Sequence, residues 1–338
     1  MTLFFLLLFV VGLSLILTYS LRCYALARSI IDIPNARSSH TVPTPRGGGV
    51  AIVISFLLAS PILATTGFLP WSAMWAMLGA GSGIAVLGFL DDHGHIAARW
   101  RLLGHFASSI WALYWLGGLP AISFFGLELE LAWFGHALAV FYLVWMLNLY
   151  NFMDGIDGIA SVEAICACLG ACLLYWLGGF DSLVVAPLVL AMAVVGFLCW
   201  NFPPARIFMG DAGSGFLGII LGLLSLQAAW TSPKLLWVWL ILLGVFIVDA
   251  TVTLIRRLLR GDKVYEAHRS HAYQFASRQY GRHLPVTAAV AVINLVWLLP
   301  LAACVVLWNM DGVLALIVAY VPLVLLAVRF HAGELEKT

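Results

Sequence analysis

The sequence predicts an all-α membrane protein, a polytopic bundle of about eleven transmembrane helices. Of its 338 residues, 63% are hydrophobic and only 10% are charged, whereas soluble proteins carry about a quarter charged residues. The apolar residues form runs close to the 20 or so residues that cross a bilayer. The 14 tryptophans suit helices anchored at membrane interfaces. A net charge of +1 gives no basis for a nucleic-acid partner.

Eleven apolar runs cover most of the chain, so membrane lipid is its expected surrounding. They are 3–21, 48–67, 72–90, 102–118, 132–149, 159–178, 183–199, 214–230, 235–255, 285–308 and 312–329. The six cysteines lie mostly within these runs and show neither a zinc-ligand spacing nor a disulfide framework. We therefore expect residues 1–338 to form one integral membrane domain. Its chemistry should lie in the polar loops 22–47, 91–101, 148–158, 200–215 and 256–284.

Basic residues predict the orientation of the bundle, because Lys and Arg are enriched in cytoplasmic loops. With the N-terminus outside, 16 of the 17 Lys and Arg residues fall on the inner side and only Lys234 falls outside. The C-terminus is then cytoplasmic. Because the inner loops are also the long and polar ones, we expect the chemistry on the cytoplasmic face.

Five aspartates lie next to predicted inner ends of helices: Asp91, Asp92, Asp154, Asp157 and Asp211. Carboxylates brought close together repel one another unless cations bind them. Their oxygens suit Mg²⁺, which keeps several waters and is shared with substrate phosphates. The alternative is that each acid only solvates a helix end, but that does not account for five acids in three loops with flanking glycines.

The segment 148–158 reads NLYNFMDGIDG, and its polar residues Asn148, Asn151, Asp154 and Asp157 recur every three positions. On a continuing helix they would line one side, while the two glycines allow a break where backbone can approach a ligand. An Asn/Gly-rich turn between two helices is the simpler alternative.

The segment 201–215 reads NFPPARIFMGDAGSG. Its prolines end one helix, and its glycines lead into the next helix, whose free backbone N–H groups would suit a phosphate. Asp211 suits a metal bridging that phosphate. Phe208 suits stacking on a flat ring such as a nucleobase, or is simply an interfacial aromatic.

Two further inner loops are basic. The loop 256–284 contains His268, Arg269 and His271, which can bind a diphosphate or donate protons to a leaving phosphate. The arginines around them are more simply a topology signal. The first loop combines Arg37, His40 and Arg46 with three glycines at a helix start, which is compatible with anion binding.

Other polar residues are ambiguous. His93, His95 and His105 lie in the inner region without a metal-ligand spacing, so we interpret them as polar interface residues. Asp249 lies within a span, where an acid is either functional or hydrogen-bonds between helices.

Asp91-Asp92, NLYNFMDGIDG, NFPPARIFMGDAGS and HRSH together resemble the polyprenyl-phosphate N-acetylhexosamine-1-phosphate transferases of the glycosyltransferase family 4 type. The resemblance runs from about residue 20 to residue 285, in the right order. The HRSH motif departs from the triple-His forms of other branches and is similar to the O-antigen branch. The resemblance implies a bacterial inner-membrane enzyme that joins UDP-N-acetylhexosamine and polyprenyl phosphate, giving polyprenyl-diphospho-sugar and UMP.

The resemblance also implies roles for the candidate residues. Asp211 with Asn151 would hold Mg²⁺, or Mn²⁺ in its place. Phe208 and Asp157 would bind uracil, and His268, Arg269 and His271 the diphosphate. Asp91 and Asp92 would lie beside the lipid phosphate, either as a base or next to an anion that attacks directly. The remaining catalytic or substrate-binding candidates are Asp154, Arg37, His40, Arg46, Asn148, Asn201 and Arg206.

A homodimer is one assembly that we consider. A transporter or flippase is the competing class, but it would place polar residues near the midplane and on both faces. A CDP-alcohol phosphotransferase would show a tight aspartate motif on a single helix, and the sequence has none.

Overall fold

The protein is almost entirely helical in a computed structural model that describes residues 3–34, 39–94, 96–262 and 269–335. The helices are α1 (Leu3–Ala27), α2 (Val50–Thr65), α3 (Trp71–His93), α4 (Ala98–Leu116), α5 (Ala132–Met153), α6 (Ile159–Gly178), α7 (Val185–Asn201), α8 (Asp211–Thr231), α9 (Lys234–Leu242), α10 (Gly244–Leu259), α11 (Ala272–Tyr280), α12 (Leu284–Ile293), α13 (Leu299–Leu307) and α14 (Gly312–Arg329). A 3-10 turn, Asp181–Leu183, precedes α7, and a π-helical turn, Asn294–Leu298, joins α12 to α13. The all-α prediction is confirmed, and the six cysteines are free thiols.

Eight helical segments among the described residues are long and apolar enough to cross a membrane, or nine if α9 and α10 form one bent span. This makes the chain a multi-pass membrane protein. Two of the predicted spans correspond to helices that are shorter or more polar than the other candidates for crossing the membrane. The helix α2 has only 16 residues, and α4 carries Arg99, Arg101 and His105 in its first half. The count of eleven therefore remains a prediction.

Two of the predicted spans are interrupted. The run 235–255 breaks at Leu243, where α9 and α10 meet at an angle of 75°. The run 285–308 contains the π-helical turn, where Asn294 donates a hydrogen bond of 2.6 Å from Nδ2 to Glu163 Oε2 of α6. Buried polar groups inside a membrane need such partners, because lipid offers none.

Two short antiparallel strand pairs complete the described structure. Strand β1 (Ile31–Asp32) pairs with β2 (Thr44–Pro45), so the first loop folds back on itself. Strand β3 (Ile122–Phe124) pairs with β4 (Leu127–Leu129). This second hairpin lies in the stretch 119–131, between the predicted spans 102–118 and 132–149.

The bundle has two unlike ends. At one end, the loops between α2 and α3 and between α6 and α7, together with the C-terminal end of α8, line a shared cavity of about 320 Å³. The loops rich in Asp, Asn, Gly and Arg gather at the other end, which we call the polar end. The polar loops therefore converge on one side, as the sequence predicts.

Helix α8 is the centre of the bundle: 94% of its apolar window is buried, against 22% for α1. Small residues allow neighbouring backbones to reach it. A Cβ on Gly213 would lie 2.5 Å from the Cα of Gly49, and a Cβ on Gly88 of α3 would overlap the backbone of Asp211 and Ala212. Glycines at these contacts therefore set the depth and position at which α8 begins.

Replacing Gly88 with valine should destabilise the folded protein, because added atoms in a closely packed contact cost about 1–3 kcal/mol or more. Gly12→Val is the matched control, since a Cβ at Gly12 meets nothing within 4 Å. The measurement is the thermal unfolding of each purified variant in detergent. Equal unfolding temperatures for the two variants would contradict the close approach of α3 to α8.

Candidate active site

A polar cavity of about 410 Å³ opens at the polar end of the bundle. Loops that are far apart in sequence form its walls. The predicted site residues on it are His40, Arg46, Asn151, Asp154, Asp157, Asn201, Phe208 and Asp211. We call this the large cavity.

A second, narrower cavity of about 30 Å³ lies between α3, α4, α5 and α8. We call it the small cavity. Its polar lining includes Asp91, Arg101, His105 and Asn148, and its apolar lining includes Leu87. Asn151 and Asp211 line both cavities. The two predicted metal ligands therefore lie at the boundary between the two cavities.

Arg46 lies between two carboxylates of the polar end. Its Nη2 is 2.8 Å from Oδ1 of Asp92 and 2.7 Å from Oδ1 of Asp211. Burial alone would lower the pKa of the guanidinium, but the charges of Asp211 and Asp92 raise it. One permanently charged arginine thus joins the first loop to α3 and α8.

Backbone hydrogen bonds hold Arg46 in this place. Phe208 N donates to Pro45 O at 2.8 Å, and Gly48 N donates to Phe208 O at 2.9 Å. Between them, Gly47 adopts a φ of +97°, a conformation that favours glycine. The glycines of the first loop therefore let it run alongside the segment that contains Phe208.

The side chain of Asp92, which belongs to α3, also lies at the N-terminus of α8. Its carboxylate accepts hydrogen bonds from the backbone N–H groups of Asp211 at 3.1 Å and Ala212 at 3.4 Å. The expectation that these amides are free for a phosphate is wrong. A carboxylate at this position satisfies unpaired amides and the positive end of the helix dipole.

Asp91 points to the small cavity instead. It pairs with Arg101 and accepts a hydrogen bond of 2.9 Å from Ile96 N. The two adjacent aspartates therefore have different environments, which the sequence alone does not distinguish.

The segment 148–158 breaks at its glycines, as predicted. Helix α5 ends at Met153, and α6 starts after Gly158, which has a φ of +73°. Asp154 lies in the break, and among the described residues its carboxylate has no recorded hydrogen bond or ion pair. Burial, together with the charge of Asp211, raises the pKa of Asp154 well above its usual range.

Three of the predicted substrate residues have mainly structural contacts. Asn201 Oδ1 accepts from Gly158 N, and its Nδ2 donates to Ile207 O, both at 3.0 Å. Asn148 Nδ2 donates to Val144 O at 2.7 Å within α5. Arg206 is exposed and lies over the ring of Trp200, outside the lining of both cavities.

Phe208 and His40 meet on the wall of the large cavity. Their ring centroids are 4.8 Å apart at an interplanar angle of 67°, an edge-on contact. This arrangement leaves an aromatic surface beside polar groups, which is the kind of surface that can hold a flat heterocycle.

His271 is not part of the lining of the large cavity. It is buried, and its Nδ1 is 3.3 Å from Oδ1 of Asp249. Asp249 also accepts hydrogen bonds from Ala272 N at 2.9 Å and Tyr273 N at 3.0 Å. Asp249 therefore hydrogen-bonds between helices at the start of α11, one of the two alternatives drawn from the sequence.

Arg269 is also outside the lining of the large cavity. Arg269 lines a cavity of about 190 Å³ together with Arg257 and Arg260. His268, Arg37 and His95 lie outside the described residues. A diphosphate-binding role for His268, Arg269 and His271 therefore remains a prediction.

The polar end can accept a shared cation. Within the described part of the chain, no three His, Cys, Asp or Glu side chains form a metal site by themselves. However, three carboxylates, Asp92, Asp154 and Asp211, gather around Arg46. The excess negative charge fits a divalent ion with one or two protein carboxylates that completes its shell with phosphates and waters.

Sequence reasoning missed several polar residues of the cavities. Asp32, Gln274 and His283 line the large cavity, and Arg101 lines the small cavity. Gln274 follows the HRSH motif closely enough to have been included in it. No spacing marks Asp32 or His283, since each is a single polar residue at the edge of a loop.

Comparisons with known proteins show the family to which the chain belongs. Residues 74–229 match the glycosyl transferase family 4. The chain is 32% identical over 268 residues to the probable undecaprenyl-phosphate N-acetylglucosaminyl 1-phosphate transferase of Bacillus subtilis, covering 77% of this chain and 73% of that protein.

Two other relatives point the same way. The decaprenyl-phosphate N-acetylglucosaminephosphotransferase of Mycolicibacterium smegmatis is 32% identical over 290 residues, covering 73% of this chain and 70% of that protein. The phospho-N-acetylmuramoyl-pentapeptide-transferase of Bacillus licheniformis is 33% identical over 220 residues, covering 61% of this chain and 66% of that protein. The chain therefore belongs to glycosyl transferase family 4, the family of the polyprenyl-phosphate N-acetylhexosamine-1-phosphate transferases that its motifs resemble.

Proposed function

We propose that the protein transfers N-acetylhexosamine-1-phosphate from a UDP-sugar to polyprenyl phosphate, releasing UMP and forming polyprenyl-diphospho-sugar. The observation that carries the proposal is the pair of cavities that meet at Asn151 and Asp211. A transferase with one soluble and one membrane-bound substrate needs two binding regions that share a reaction centre. The relatives named for undecaprenyl and decaprenyl phosphate support a lipid acceptor.

The large cavity suits the UDP-sugar. Its volume of about 410 Å³ lies in the range of pockets that bind small molecules. In the proposal, uracil lies against Phe208 near Asp157, and the diphosphate extends toward Arg46 and Asp211. Arginine suits this position because it stays charged and can hydrogen-bond two phosphate oxygens at once.

The lipid phosphate is assigned to the neighbourhood of the small cavity, which itself measures only about 30 Å³. This cavity lies between helices, next to apolar side chains such as Leu87, and it contains the cation Arg101 beside Asp91. Asp91 and Asp92 are both engaged in ion pairs, so we assign them positioning roles. A polyprenyl phosphate is already an anion near neutral pH, and it can attack without a base.

A divalent cation completes the proposed centre. Asp211 and Asn151 would hold Mg²⁺, or Mn²⁺ in its place. The cation would also stabilise the ionised form of the nearby Asp154, which burial and the charge of Asp211 disfavour. The cation would neutralise charge that develops on the transferring phosphoryl group. A lipid phosphate oxygen bonds to the phosphorus next to the sugar, and the bond from that phosphorus to the UMP oxygen breaks.

The proposed setting is a bacterial inner membrane, with the polar end of the bundle in the cytoplasm, at the first step of O-antigen or another envelope polysaccharide. The segregation of Lys and Arg supports this orientation.

A reporter fused after Thr338 should read cytoplasmic, and one inserted near Lys234 should read outside. The reverse pattern would place the cavity on the wrong side for a nucleotide sugar.

The function is tested by incubating purified protein with polyprenyl phosphate, Mg²⁺ and a panel of UDP-sugars. We expect UMP release and a lipid-linked sugar with at least one UDP-N-acetylhexosamine. UMP release that does not depend on the lipid, or no release with any sugar of the panel, would contradict the proposal.

Asp211→Asn should lower kcat at least about a hundredfold, because one strong electrostatic contact to a transition state contributes on that order. The folded protein should remain inserted and should bind Mn²⁺ more weakly, as measured by electron paramagnetic resonance. Asp181→Asn is the control, since Asp181 is exposed and distant in the connection between α6 and α7. Near wild-type turnover and Mn²⁺ binding in Asp211→Asn would contradict the metal assignment.

Phe208→Ala should raise KM for every UDP-sugar by similar factors, roughly ten- to a hundredfold, if stacking on uracil contributes about 1–3 kcal/mol. Phe202→Ala is the matched control, because Phe202 is an exposed aromatic of the same loop and lies outside the cavity lining. Inhibition by UMP provides a second readout. If UMP inhibits Phe208→Ala as strongly as wild type, then Phe208 is only an interfacial aromatic.

A further inference from the structure

His283 lies directly before α12 and lines the large cavity, with its side chain 16% exposed. Its Nε2 is 2.9 Å from the carbonyl oxygen of Ser39. Its Nδ1 is 3.1 Å from Oδ1 of Asp157 and 3.3 Å from the backbone N of Asp157. One turn later, Thr287 Oγ1 donates to the carbonyl of Asp157 at 2.8 Å. The start of α12 therefore holds both the 154–158 turn and the first loop.

The hydrogen-bond partners of His283 indicate which of its ring nitrogens carries a proton. A carbonyl oxygen only accepts hydrogen bonds, so Nε2 carries a proton toward Ser39. Nδ1 then has two possible states. Protonated, it donates a charge-assisted hydrogen bond to the Asp157 carboxylate. Neutral, it can only accept from the Asp157 N–H, which is a weaker contact.

The surroundings favour the charged state. Burial lowers the pKa of His283, but the hydrogen bond and charge of Asp157 and the Ser39 carbonyl together raise it above its usual value. Asp157 is the carboxylate in contact with the ring. The other charged or titratable groups on this cavity are Asp32, His40, Arg46, Asp154 and Asp211.

These contacts extend to Phe208 and His40, the two aromatic rings on the wall of the large cavity. The other carboxylate oxygen of Asp157 accepts from Ala205 N at 3.0 Å, in the segment that leads to Phe208. Ser39 precedes His40, which makes the edge-on contact with Phe208. One imidazole thus links two chain segments that meet at Phe208.

We infer that His283 is a positioning residue: as an imidazolium it fixes Asp157 and the first loop in the arrangement that binds the UDP-sugar. This inference rests on the proposed function. It concerns the large cavity only, because the lipid phosphate is assigned to the small cavity beyond Asp211 and Asn151.

The test uses two variants that each keep one donor. The amide nitrogen of Asn lies near the position of Nδ1, so His283→Asn can keep the bond to Asp157. The amide nitrogen of Gln lies near the position of Nε2, so His283→Gln can keep the bond to Ser39. His331→Gln is the control, because His331 is an exposed residue that pairs with Glu334.

Steady-state kinetics over a pH series is the first readout. In wild type, KM for the UDP-sugar should rise as pH increases through the titration of His283, since the imidazolium is lost. In His283→Gln, KM should already be about tenfold or more higher at neutral pH and should lack this rise. His283→Asn should fall between the two, and KM for polyprenyl phosphate should stay unchanged in all variants.

UMP binding by equilibrium dialysis, which needs no turnover, is the second readout. Weaker binding at high pH in wild type but not in His283→Gln supports the inference, even if the UDP-sugar panel fails the proposed function. UMP binding and UDP-sugar KM that follow the same pH course in wild type and His283→Gln would overturn it. A parallel loss for both substrates with a lower unfolding temperature would also overturn it, since that indicates only a structural role.

Discussion

The ion pairs of Arg46 with Asp92 and Asp211 are the interaction on which the polar end depends. They join the first loop, the end of α3 and the start of α8. Removing Arg46 would be costly above all for Asp92, because that buried carboxylate would be left without its cation. Asp92 adds to this constraint by accepting the first amides of α8. The position of Asp211 is therefore defined by helix α8, by its ion pair with Arg46 and by the hydrogen bond from its backbone N–H to Asp92.

Packing and charge act together at this point. Glycines at the contacts of α8 with α2 and α3 let three backbones converge, so that acids from different helices reach one place. The same convergence separates the large cavity from the small cavity at Asn151 and Asp211. In the proposed function, this geometry lets one centre serve a soluble nucleotide sugar and a membrane-bound phosphate in separate binding regions.

Much of the fold and part of the site could be predicted from the sequence. Apolar runs define helices, and glycines in NLYNFMDGIDG define a break, because both effects are local. The sequence could not reveal that Asp92 takes the amides of α8, since 119 residues separate Asp92 from Asp211. Nor could the sequence reveal that His271 contacts Asp249 beside the start of α11, because 22 residues separate the two. His283 escaped notice because a lone histidine before a helix has no pattern, and its role depends on two distant partners.

The most direct test of this account is an experimental structure with a UDP-N-acetylhexosamine and Mg²⁺ bound. We predict uracil against Phe208, the diphosphate between Arg46 and Asp211, and the cation about 2.1 Å from an Asp211 carboxylate oxygen. The sugar-linked phosphorus should face the boundary with the small cavity. A nucleotide bound at the other end of the bundle, or a diphosphate remote from Asp211, would contradict the account.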